Sequence, residues 1–383
     1  MNKSMKALIV TTVASTIDQF CTNDLEILLE DYSIEVAANF SFGNNTTQER
    51  TEEFKRELIE KKIYVHEIQF NRSPFRGSNL KAYFKLKKII EQNKYEIIHC
   101  HTPVAAMLTR LAAYNARKTG TKVIYTAHGF HFYNGAPIIN WLVYYPIEKL
   151  LSKYTDTLIT INQEDYHLAK KEFYSQKIEY VPGVGIDMGR FTEIKKDKDE
   201  KRSEIGLQND VFVVLSVGEL NKNKNHEVVI KALAKINNQS IHYLICGKGL
   251  LENKLKELAK DLGIEKQVHF LGFRKDISEI YNASDLFVFP SYREGLSVAL
   301  MEAMASGLPV VCSDIRGNSD LIEHNMGGSL IPPSSIGDYV EQIERFYRNS
   351  IAREKFGDFN KKNINKFSSF AVKSRMKEIY RNL

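Results

Sequence analysis

The sequence has few cysteines, and they form no short paired motif. Cys21, Cys100, Cys246 and Cys312 are scattered over 383 residues, without a CxxC pair. This usage does not fit a small disulfide-stapled fold, and no set of spaced thiols completes a zinc-binding pattern. We therefore expect reduced thiols in a cytoplasmic protein.

The sequence also lacks a long hydrophobic run. No stretch approaches the roughly 20 apolar residues that a membrane-spanning helix needs. The N-terminal stretch MNKSMKALIVTTVAST shares lysines and a short apolar run with signal peptides. Because that run is brief and β-branched, and polar residues follow it at once, we interpret it as the first strand of a parallel sheet.

Strand-like and helix-like segments alternate along the chain, of which 43% is hydrophobic. The length favours two domains of roughly 180 residues each, and the alternation favours parallel sheets covered by helices. The first series has predicted strands at Lys6–Thr12, Ser33–Asn39, Tyr64–Ile68, Ile97–Cys100, Lys122–Thr126, Thr157–Ile161 and Ile178–Val181, and predicted helices include Leu80–Gln92, Val104–Lys118 and Ile138–Lys153. The second series has predicted strands at Val211–Val217, His242–Cys246, Val268–Leu271, Leu286–Phe289 and Val310–Cys312.

A turn-rich segment, PGVGIDMGRF, and a charged run, KKDKDEKR, interrupt the alternation between Pro182 and Arg202. We interpret them as a linker and loop between domains. The predicted architecture is an α/β chain with two Rossmann-like domains that face a cleft, at residues 1–183 and 184–367. A helical segment at 368–383 ends the chain.

The segment from Arg293 to Ser313, REGLSVALMEAMASGLPVVCS, carries the clearest chemical signal. Ser297 is the predicted N-cap of a helix over Val298–Ala305. The loop before it leaves the amides of Gly295, Leu296 and Ser297 near a positive helix end, which favours phosphate or hydroxyl groups. Glu302 leans back toward that end, and its carboxylate accepts two hydroxyl hydrogen bonds, as a ribose diol requires. Glu294 is placed to hold a second sugar.

The same segment resembles the EX7E motif of family 4 retaining glycosyltransferases, with the form E-G-x-S-x-x-x-x-E intact between Glu294 and Glu302. The resemblance runs over nearly the whole chain, and the chain is similar in character to bacterial capsule and exopolysaccharide enzymes. It implies a GT-B fold with the C-terminal helix crossing back to the first domain. It also implies a nucleotide-sugar donor, which is a UDP-sugar by family habit, and no metal or other cofactor.

The resemblance extends to the first domain through the segment T-x-H-G, which ends at Gly129. It implies that His128 touches the transferred sugar, where a neutral imidazole hydrogen-bonds a hydroxyl group. His101, at another strand end, is expected to line the acceptor site. The histidines His99, His101, His128 and His131 also allow a metal site to be considered, but no carboxylates or thiols at suitable spacing complete one, and we predict none.

The loop after the strand at Val211–Val217 is predicted to bind the donor diphosphate. Gly218 permits close approach of the backbone, and Lys224 matches the lysine of the family and stabilises the leaving group. The family's arginine is replaced by Glu219, so Arg274 or Lys222 is expected to compensate. Gly247 lies in a second glycine loop of the donor site. Because Glu252 occupies the third position of the dinucleotide fingerprint, this loop does not indicate NAD.

Basic and aromatic residues are mixed between Lys55 and Lys94, in a chain of net charge +6. Such a mixture fits an anionic membrane surface or a phosphorylated lipid acceptor, and no nucleic-acid motif accompanies it. The basic members are Arg72, Arg76, Lys81, Lys85, Lys87 and Lys88, and the apolar members are Phe75, Leu80, Tyr83, Phe84 and Leu86.

These observations predict a retaining glycosyltransferase that moves a sugar to a polyprenyl-diphosphate-linked or glycan acceptor. It would act in cell-surface polysaccharide synthesis at the inner face of the plasma membrane. Glu294, Lys224 and His128 are the predicted catalytic residues. Two alternatives remain open, a UDP-sugar epimerase of GT-B fold and a non-catalytic nucleotide-sugar-binding module, the second because of Glu219. A nucleic-acid-binding protein is a third alternative, which salt-dependent affinity for DNA or RNA would reveal.

Overall fold

The computed structural model describes residues 5–74, 76–193 and 195–383. Phe75, one of the aromatic residues of the predicted membrane surface, lies outside the described residues. The chain forms two compact units: unit 1 extends to Val184 and also includes Phe370–Leu383, and unit 2 consists of Gly185–Ser369.

Unit 1 has a parallel sheet of seven strands covered by helices. Its strands are β1 (Lys6–Val13), β2 (Ser33–Asn39), β3 (Tyr64–Glu67), β4 (Ile97–His101), β5 (Lys122–Ala127), β6 (Thr157–Thr160) and β7 (Lys177–Tyr180), in the order β3-β2-β1-β4-β5-β6-β7. Its first helices are α1 (Ala14–Phe20), α2 (Thr22–Asp31), α3 (Gln48–Glu60), α4 (Ser78–Gln92), α5 (Pro103–Ala112), α6 (Tyr114–Lys118), α7 (Ile138–Leu151) and α8 (Gln163–Glu172). A 3₁₀ turn, Ser152–Tyr154, follows α7. The central strands are buried on both faces, as a sheet covered on both sides requires.

Unit 2 has a parallel sheet of six strands. These are β8 (Phe212–Val217), β9 (Ile241–Cys246), β10 (Val268–Gly272), β11 (Leu286–Phe289), β12 (Val310–Ser313) and β13 (Gly328–Ile331), in the order β10-β9-β8-β11-β12-β13. Its helices are α9 (Gly189–Thr192), α10 (Lys198–Glu204), α11 (His226–Ile236), α12 (Glu252–Asp261), α13 (Ile277–Ala283), α14 (Val298–Ala305), α15 (Asn318–Leu321), α16 (Ile336–Arg348) and α17 (Ser350–Asn363), and a 3₁₀ turn spans Ile364–Phe367.

The last helix, α18 (Ser369–Arg381), packs on unit 1. Val372, Met376 and Ile379 are buried in the same core cluster as β1 and β2. Ion pairs also join α18 to unit 1, and in one of them Arg375 lies 2.7 Å from Glu179. The return of the C-terminal helix to the first domain is therefore confirmed.

In both sheets the order of the strands reverses at one place. There a strand has its neighbour in sequence on one side and a later strand on the other. In unit 1 this point lies between β1 and β4, and in unit 2 it lies between β8 and β11. Ligands of open α/β sheets bind beyond the carboxyl ends of the strands at such a point. The sheet order alone therefore directs attention to the loops that follow these four strands.

Two segments assigned from the sequence have a different form in the structure. The predicted helix Val104–Lys118 is divided at Ala113 into α5 and α6. The charged run is not a loop throughout, because Asp197 caps α10, its side chain accepting a hydrogen bond from the amide of Glu200. Arg202 of this helix is buried and lies 2.7 Å from Asp285.

Candidate functional site

The loops after β8 and β11 are joined to each other at the carboxyl edge of the unit 2 sheet. The amide of Tyr292 donates to the carbonyl of Asn223 over 2.8 Å, and the Asn223 amide group donates to the carbonyl of Arg293 over 2.9 Å. Asn225 adds a bond to the carbonyl of Pro290. These bonds hold the Gly218–Lys224 loop against the segment that contains Glu294.

Lys224 and Glu294 meet where these loops join. The Lys224 Nζ lies 2.7 Å from Glu294 Oε1 and 4.6 Å from the centre of the Phe289 ring. Both side chains are largely but not fully buried. The lysine stem packs against Gly218, where a Cβ atom would approach it to 3.2 Å. A cation and a carboxylate thus lie side by side at the switch point, and the sequence predicted both as donor-binding residues.

The loop before α14 has the geometry that the sequence predicts. The Ser297 hydroxyl accepts a hydrogen bond from the amide of Leu300, and α14 covers Val298–Ala305. Within the described part of the chain, the amides of Gly295, Leu296 and Ser297 donate to no protein acceptor. These amides point to a site for phosphate or hydroxyl oxygens, because a helix N-terminus stabilises negative charge.

Gly317, at φ +79°, packs closely against the backbone of that loop at Gly295. A Cβ atom at this position would lie 2.1 Å from the carbonyl oxygen of Gly295. The neighbouring Arg316 donates to the carbonyl of Glu294 over 3.3 Å. The backbone of residues 294–295 is therefore held by the segment that follows β12, a contact that the sequence did not indicate.

Glu302 is held by a tyrosine that the sequence analysis did not select. The Tyr281 hydroxyl donates to Glu302 Oε2 over 3.2 Å and also to the carbonyl of Ala299 over 2.9 Å. Burial raises the pKa of the Glu302 carboxyl, while the Tyr281 hydrogen bond and the charge of Arg190 lower it. The only sequence signal for Tyr281 is its place in the segment LGFRKDISEIY, beside Arg274.

The remaining predicted donor residues lie after β9 and β10. A Cβ atom on Gly247 would lie 1.8 Å from the carbonyl oxygen of Gly218, so these two loops touch through their backbones. Arg274 forms two hydrogen bonds to Asp276, of 2.9 and 2.6 Å, and lies 3.6 Å from Glu204. Its charge is thus matched within the protein.

In unit 1, His128 and His101 lie side by side, with His101 buried and His128 half-buried. His101 Nδ1 lies 3.1 Å from His128 Nε2, and both side chains line a small cavity together with Asp24. Burial is the main cause that lowers the pKa of His128 to about 4 and the pKa of His101 well below its usual value. Both imidazoles are therefore neutral at pH 7, which is the form that hydrogen-bonds a hydroxyl group.

Asp24 connects this pair to the C-terminal helix. The Tyr380 hydroxyl donates to Asp24 Oδ1 over 2.9 Å and lies 2.6 Å from His99 Nδ1. Asp24 Oδ2 lies 3.8 Å from His101 Nε2. Burial raises the pKa of the Asp24 carboxyl to about 7, although the Tyr380 bond lowers it. Sequence reasoning missed Asp24, because nothing in the sequence brings α2 and α18 together.

The four histidines considered as metal ligands do not group together as a set. His99 binds Thr126 and Tyr380 through its two ring nitrogens. Among the described residues, the cluster with suitable ligand atoms is Cys21, Asp24 and His101, within 4.8 Å of one another.

A cavity of about 440 Å³ lies at the switch point of unit 1. The ends of β1 and β4 line it through Thr12, Val13 and Thr102, and α7 lines another wall through Tyr144 and Ile147. Its walls are mainly apolar, with Arg72 at one side, where the guanidinium donates to Asn45 over 2.7 Å.

The other predicted membrane residues lie along or just before α4. Arg76, Lys81, Lys85 and Lys88 are exposed and Lys87 is half-buried. The Lys85 ammonium donates to the carbonyl of Glu67, and Lys87 lies 3.8 Å from Glu91. Within residues 5–74, 76–193 and 195–383, every helix is too short or too polar to span a bilayer.

Comparison with known proteins identifies the family. The family model described as "Glycosyl transferases group 1" matches residues 197–363, and the model described as "Glycosyl transferase 4-like" matches residues 46–162. EpsD of Bacillus subtilis (strain 168), named as a glycosyltransferase, is 40% identical over 324 residues, which are 83% of this chain and 85% of EpsD.

Two further proteins extend the comparison. The UDP-Gal:alpha-D-GlcNAc-diphosphoundecaprenol alpha-1,3-galactosyltransferase of Escherichia coli is 31% identical over 310 residues, 79% of each chain. The crystal structure of Anabaena Alr3699/HepE in complex with UDP and glucose superposes with a TM-score of 0.79 at 20% identity, over 99% of this chain and 100% of that one. With two parallel sheets in the order described, these matches show that the chain belongs to the group 1, family 4-like glycosyltransferases and has the two-domain α/β GT-B fold.

Proposed function

We propose that the protein transfers a sugar, with retention of anomeric configuration, from a nucleotide-sugar bound at the switch point of unit 2. The observation that carries this proposal is the Lys224–Glu294 pair, 2.7 Å apart, beside three amides that donate to no described protein acceptor. A diphosphate needs cations and amide donors, whereas a sugar needs hydrogen-bond acceptors for its hydroxyl groups. This edge of the sheet offers both.

In the proposed complex, Lys224 turns from Glu294 to the departing diphosphate, and the amides of Gly295, Leu296 and Ser297 share its negative charge. Glu294 is then free to accept hydrogen bonds from hydroxyls of the donor sugar. The charge on Lys224 acts mainly in the transition state, because negative charge on the leaving phosphate increases as the glycosidic bond breaks. The reaction uses no metal ion in this proposal.

Glu302 is proposed to bind the ribose of the donor, and Tyr281 fixes the orientation of its carboxylate. The UDP complex of Alr3699/HepE supports a uridine nucleotide as the donor class. His128 is proposed to bind a hydroxyl of the transferred sugar through its neutral imidazole. Retention follows if the acceptor hydroxyl attacks on the face that the diphosphate leaves, with a phosphate oxygen taking the proton.

The acceptor is proposed to be a polyprenyl-diphosphate-linked sugar at the inner face of the plasma membrane, in the synthesis of a cell-surface polysaccharide such as capsule or exopolysaccharide. The name of the Escherichia coli relative, which includes a diphosphoundecaprenol acceptor, supports this class. Arg72 at the cavity of unit 1 and the basic side of α4 supply positive charge for such an acceptor.

A donor screen tests the proposal. Purified protein is incubated with UDP-, GDP- and ADP-sugars, with and without a bacterial membrane extract, and nucleoside diphosphate release is measured with and without EDTA. We expect release that depends on the extract, persists in EDTA and falls at least a hundredfold in Glu294→Gln and in Lys224→Met. The exposed Glu265 and Lys266 of the same unit provide matched controls, Glu265→Gln and Lys266→Met, which keep full activity.

The same screen distinguishes the alternatives. Conversion of a UDP-sugar without any acceptor would identify an epimerase, and UDP binding without turnover of any donor would identify a binding module. Turnover that EDTA abolishes would contradict the metal-independent mechanism. NMR of the product linkage reports its anomeric configuration, and an inverted product would contradict retention.

A further inference from the structure

Helix α7 carries a stripe of apolar side chains that faces solvent. Its sequence, IINWLVYYPIEKLL, has only two charged residues. Ile138, Ile139, Leu142 and Leu150 are 77%, 61%, 68% and 56% exposed, and Pro146 is exposed between them. At about 100° per residue, these five positions fall within an arc of about 120° on one side of the helix. We call this set the α7 stripe.

The opposite side of α7 is already used by the fold of unit 1. Trp141, Tyr144 and Tyr145 pack on its apolar core, and Glu148 is buried beside Arg110 at 2.8 Å. A helix that is apolar on every side normally has partners on every side. Helix α7 has them on one side within the described chain, so the α7 stripe is a surface without its partner.

Basic and aromatic residues border the C-terminal end of the α7 stripe. The ammonium groups of Lys149 and Lys153 lie 5.8 and 5.0 Å from the centre of the Tyr174 ring. The Lys118 ammonium lies 4.2 Å from the Tyr114 ring. The two tyrosines are about half exposed. Lysines with amphipathic rings beside an apolar surface match the interface of a bilayer, where headgroups are anionic and acyl chains begin.

The α7 stripe also adjoins the cavity of unit 1. Val143 and Ile147 follow it around the helix and line the cavity of about 440 Å³. One helix therefore lies between an exposed apolar surface and a partly open, mainly apolar cavity that Arg72 lines. An acceptor anchored in a bilayer beneath the stripe would have its polar head beside the cavity mouth.

We propose that the α7 stripe binds the surface of an anionic phospholipid bilayer and brings the cavity of unit 1 to the acceptor. The role of the cavity rests on the proposed function, whereas bilayer binding does not. The stripe supplies the apolar contact, and the exposed Lys118 and Lys153 supply the attraction to anionic headgroups. Lys149 is already ion-paired with Glu172 at 2.8 Å. Helix α4 adds lysines and two exposed apolar side chains, Leu80 and Phe84, fewer than the five of the α7 stripe.

Vesicle flotation with the full chain tests the proposal, without donor or acceptor. The probes are vesicles of phosphatidylcholine alone and of phosphatidylcholine with phosphatidylglycerol. The variant Ile138→Ser/Leu150→Ser removes two stripe residues, and Ile351→Ser/Ile59→Ser removes two apolar residues of matched exposure, 77% and 58%, from other surfaces. Exposed positions are chosen so that the variants fold, which circular dichroism verifies.

We expect the wild type to bind the anionic vesicles and the α7 variant to bind at least tenfold more weakly, with the matched control unchanged. Lys118→Gln/Lys153→Gln should weaken binding to anionic vesicles several-fold. Lys81→Gln/Lys88→Gln on α4 should weaken it less than the α7 variant does. Equal binding by the α7 variant and the wild type would overturn the proposal.

The alternative role of the α7 stripe is self-association of the protein. Sedimentation equilibrium of the wild type and the α7 variant decides it: a dimer that the α7 substitutions dissociate, without a change in flotation, overturns bilayer binding. Because flotation needs no turnover, its failure leaves the transferase assay intact. Equally, loss of nucleoside diphosphate release in that assay leaves the flotation result intact.

Discussion

Replacing Asp24 by asparagine should stabilise unit 1 at alkaline pH. The carboxyl group is buried, and its pKa rises from an unperturbed value of 3.8 to about 7. Each pKa unit corresponds to about 1.4 kcal/mol, so ionised Asp24 costs the folded state at most about 4 kcal/mol relative to the unfolded chain. The amide of asparagine keeps an acceptor for Tyr380 and adds a donor toward His101 Nε2, which lacks a hydrogen-bond partner among the described residues.

The sign of the effect follows from the two pKa values. Below about pH 4 the carboxyl is protonated in both states, and the folded form has its full stability. As the pH rises, the unfolded chain loses its proton first, so the contribution of Asp24 falls until the pH exceeds about 7. The lowered pKa values of His99 and His128 give the opposite trend, with stability lost as the pH falls, but they act in both proteins and cancel in the difference.

Thermal unfolding by scanning calorimetry at pH 4.5 and pH 8 measures this difference. We expect Asp24→Asn to be about 1–3 kcal/mol more stable than the wild type at pH 8, a rise of several degrees in the Tm of unit 1. At pH 4.5 the linkage contribution falls to about 1 kcal/mol, so the difference should be smaller there. A variant that is less stable at pH 8 would refute the reasoning, because it would show that the ionised carboxylate is favoured, with the proton on His101.

Three further changes concern the donor site. Gly317→Ala places a Cβ atom 2.1 Å from the Gly295 carbonyl at φ +79°, so we expect donor KM to rise at least tenfold with unit 2 still folded by circular dichroism. Tyr281→Phe removes one hydrogen bond to Glu302, of about 1.5–3 kcal/mol for a charged acceptor, and should raise the Kd of UDP at least tenfold by calorimetry. An unchanged Kd would show that Glu302 does not bind the nucleotide. Ser297→Ala removes the α14 cap and should lower stability by about 1 kcal/mol in thermal unfolding.

The donor loop was predictable because its signals are local. The bounds of α14 were predicted correctly from Ser297 as its N-cap and from Gly307 just after its end. The sequence assigned Lys224 and Glu294 to one donor site, but it did not predict that the two side chains pair with each other. Gly317 and Tyr281 were not predictable, because their contacts join segments that are distant in sequence.

Other elements depend on tertiary structure that the sequence pattern does not contain. Strand β13 was missed because Gly328–Ile331 is short and follows glycines, so its periodicity is weak. Helix α10 was interpreted as a charged loop, yet its Lys201 is buried and lies 2.8 Å from Glu279. Charge runs normally mark solvated segments, and only the surrounding carboxylates explain why this one is buried.

The membership of Phe370–Leu383 in unit 1 has a consequence for the order in which the protein is made. Val372, Met376, Ile379 and Tyr380 complete a core whose other buried members are synthesised before Val184. Unit 2 is contiguous and is complete on the ribosome once Ser369 has emerged, whereas unit 1 also needs Phe370–Leu383, which are synthesised after it. The N-terminal unit therefore finishes folding after unit 2, and a fragment that ends at Val184 would expose the apolar surface that α18 covers.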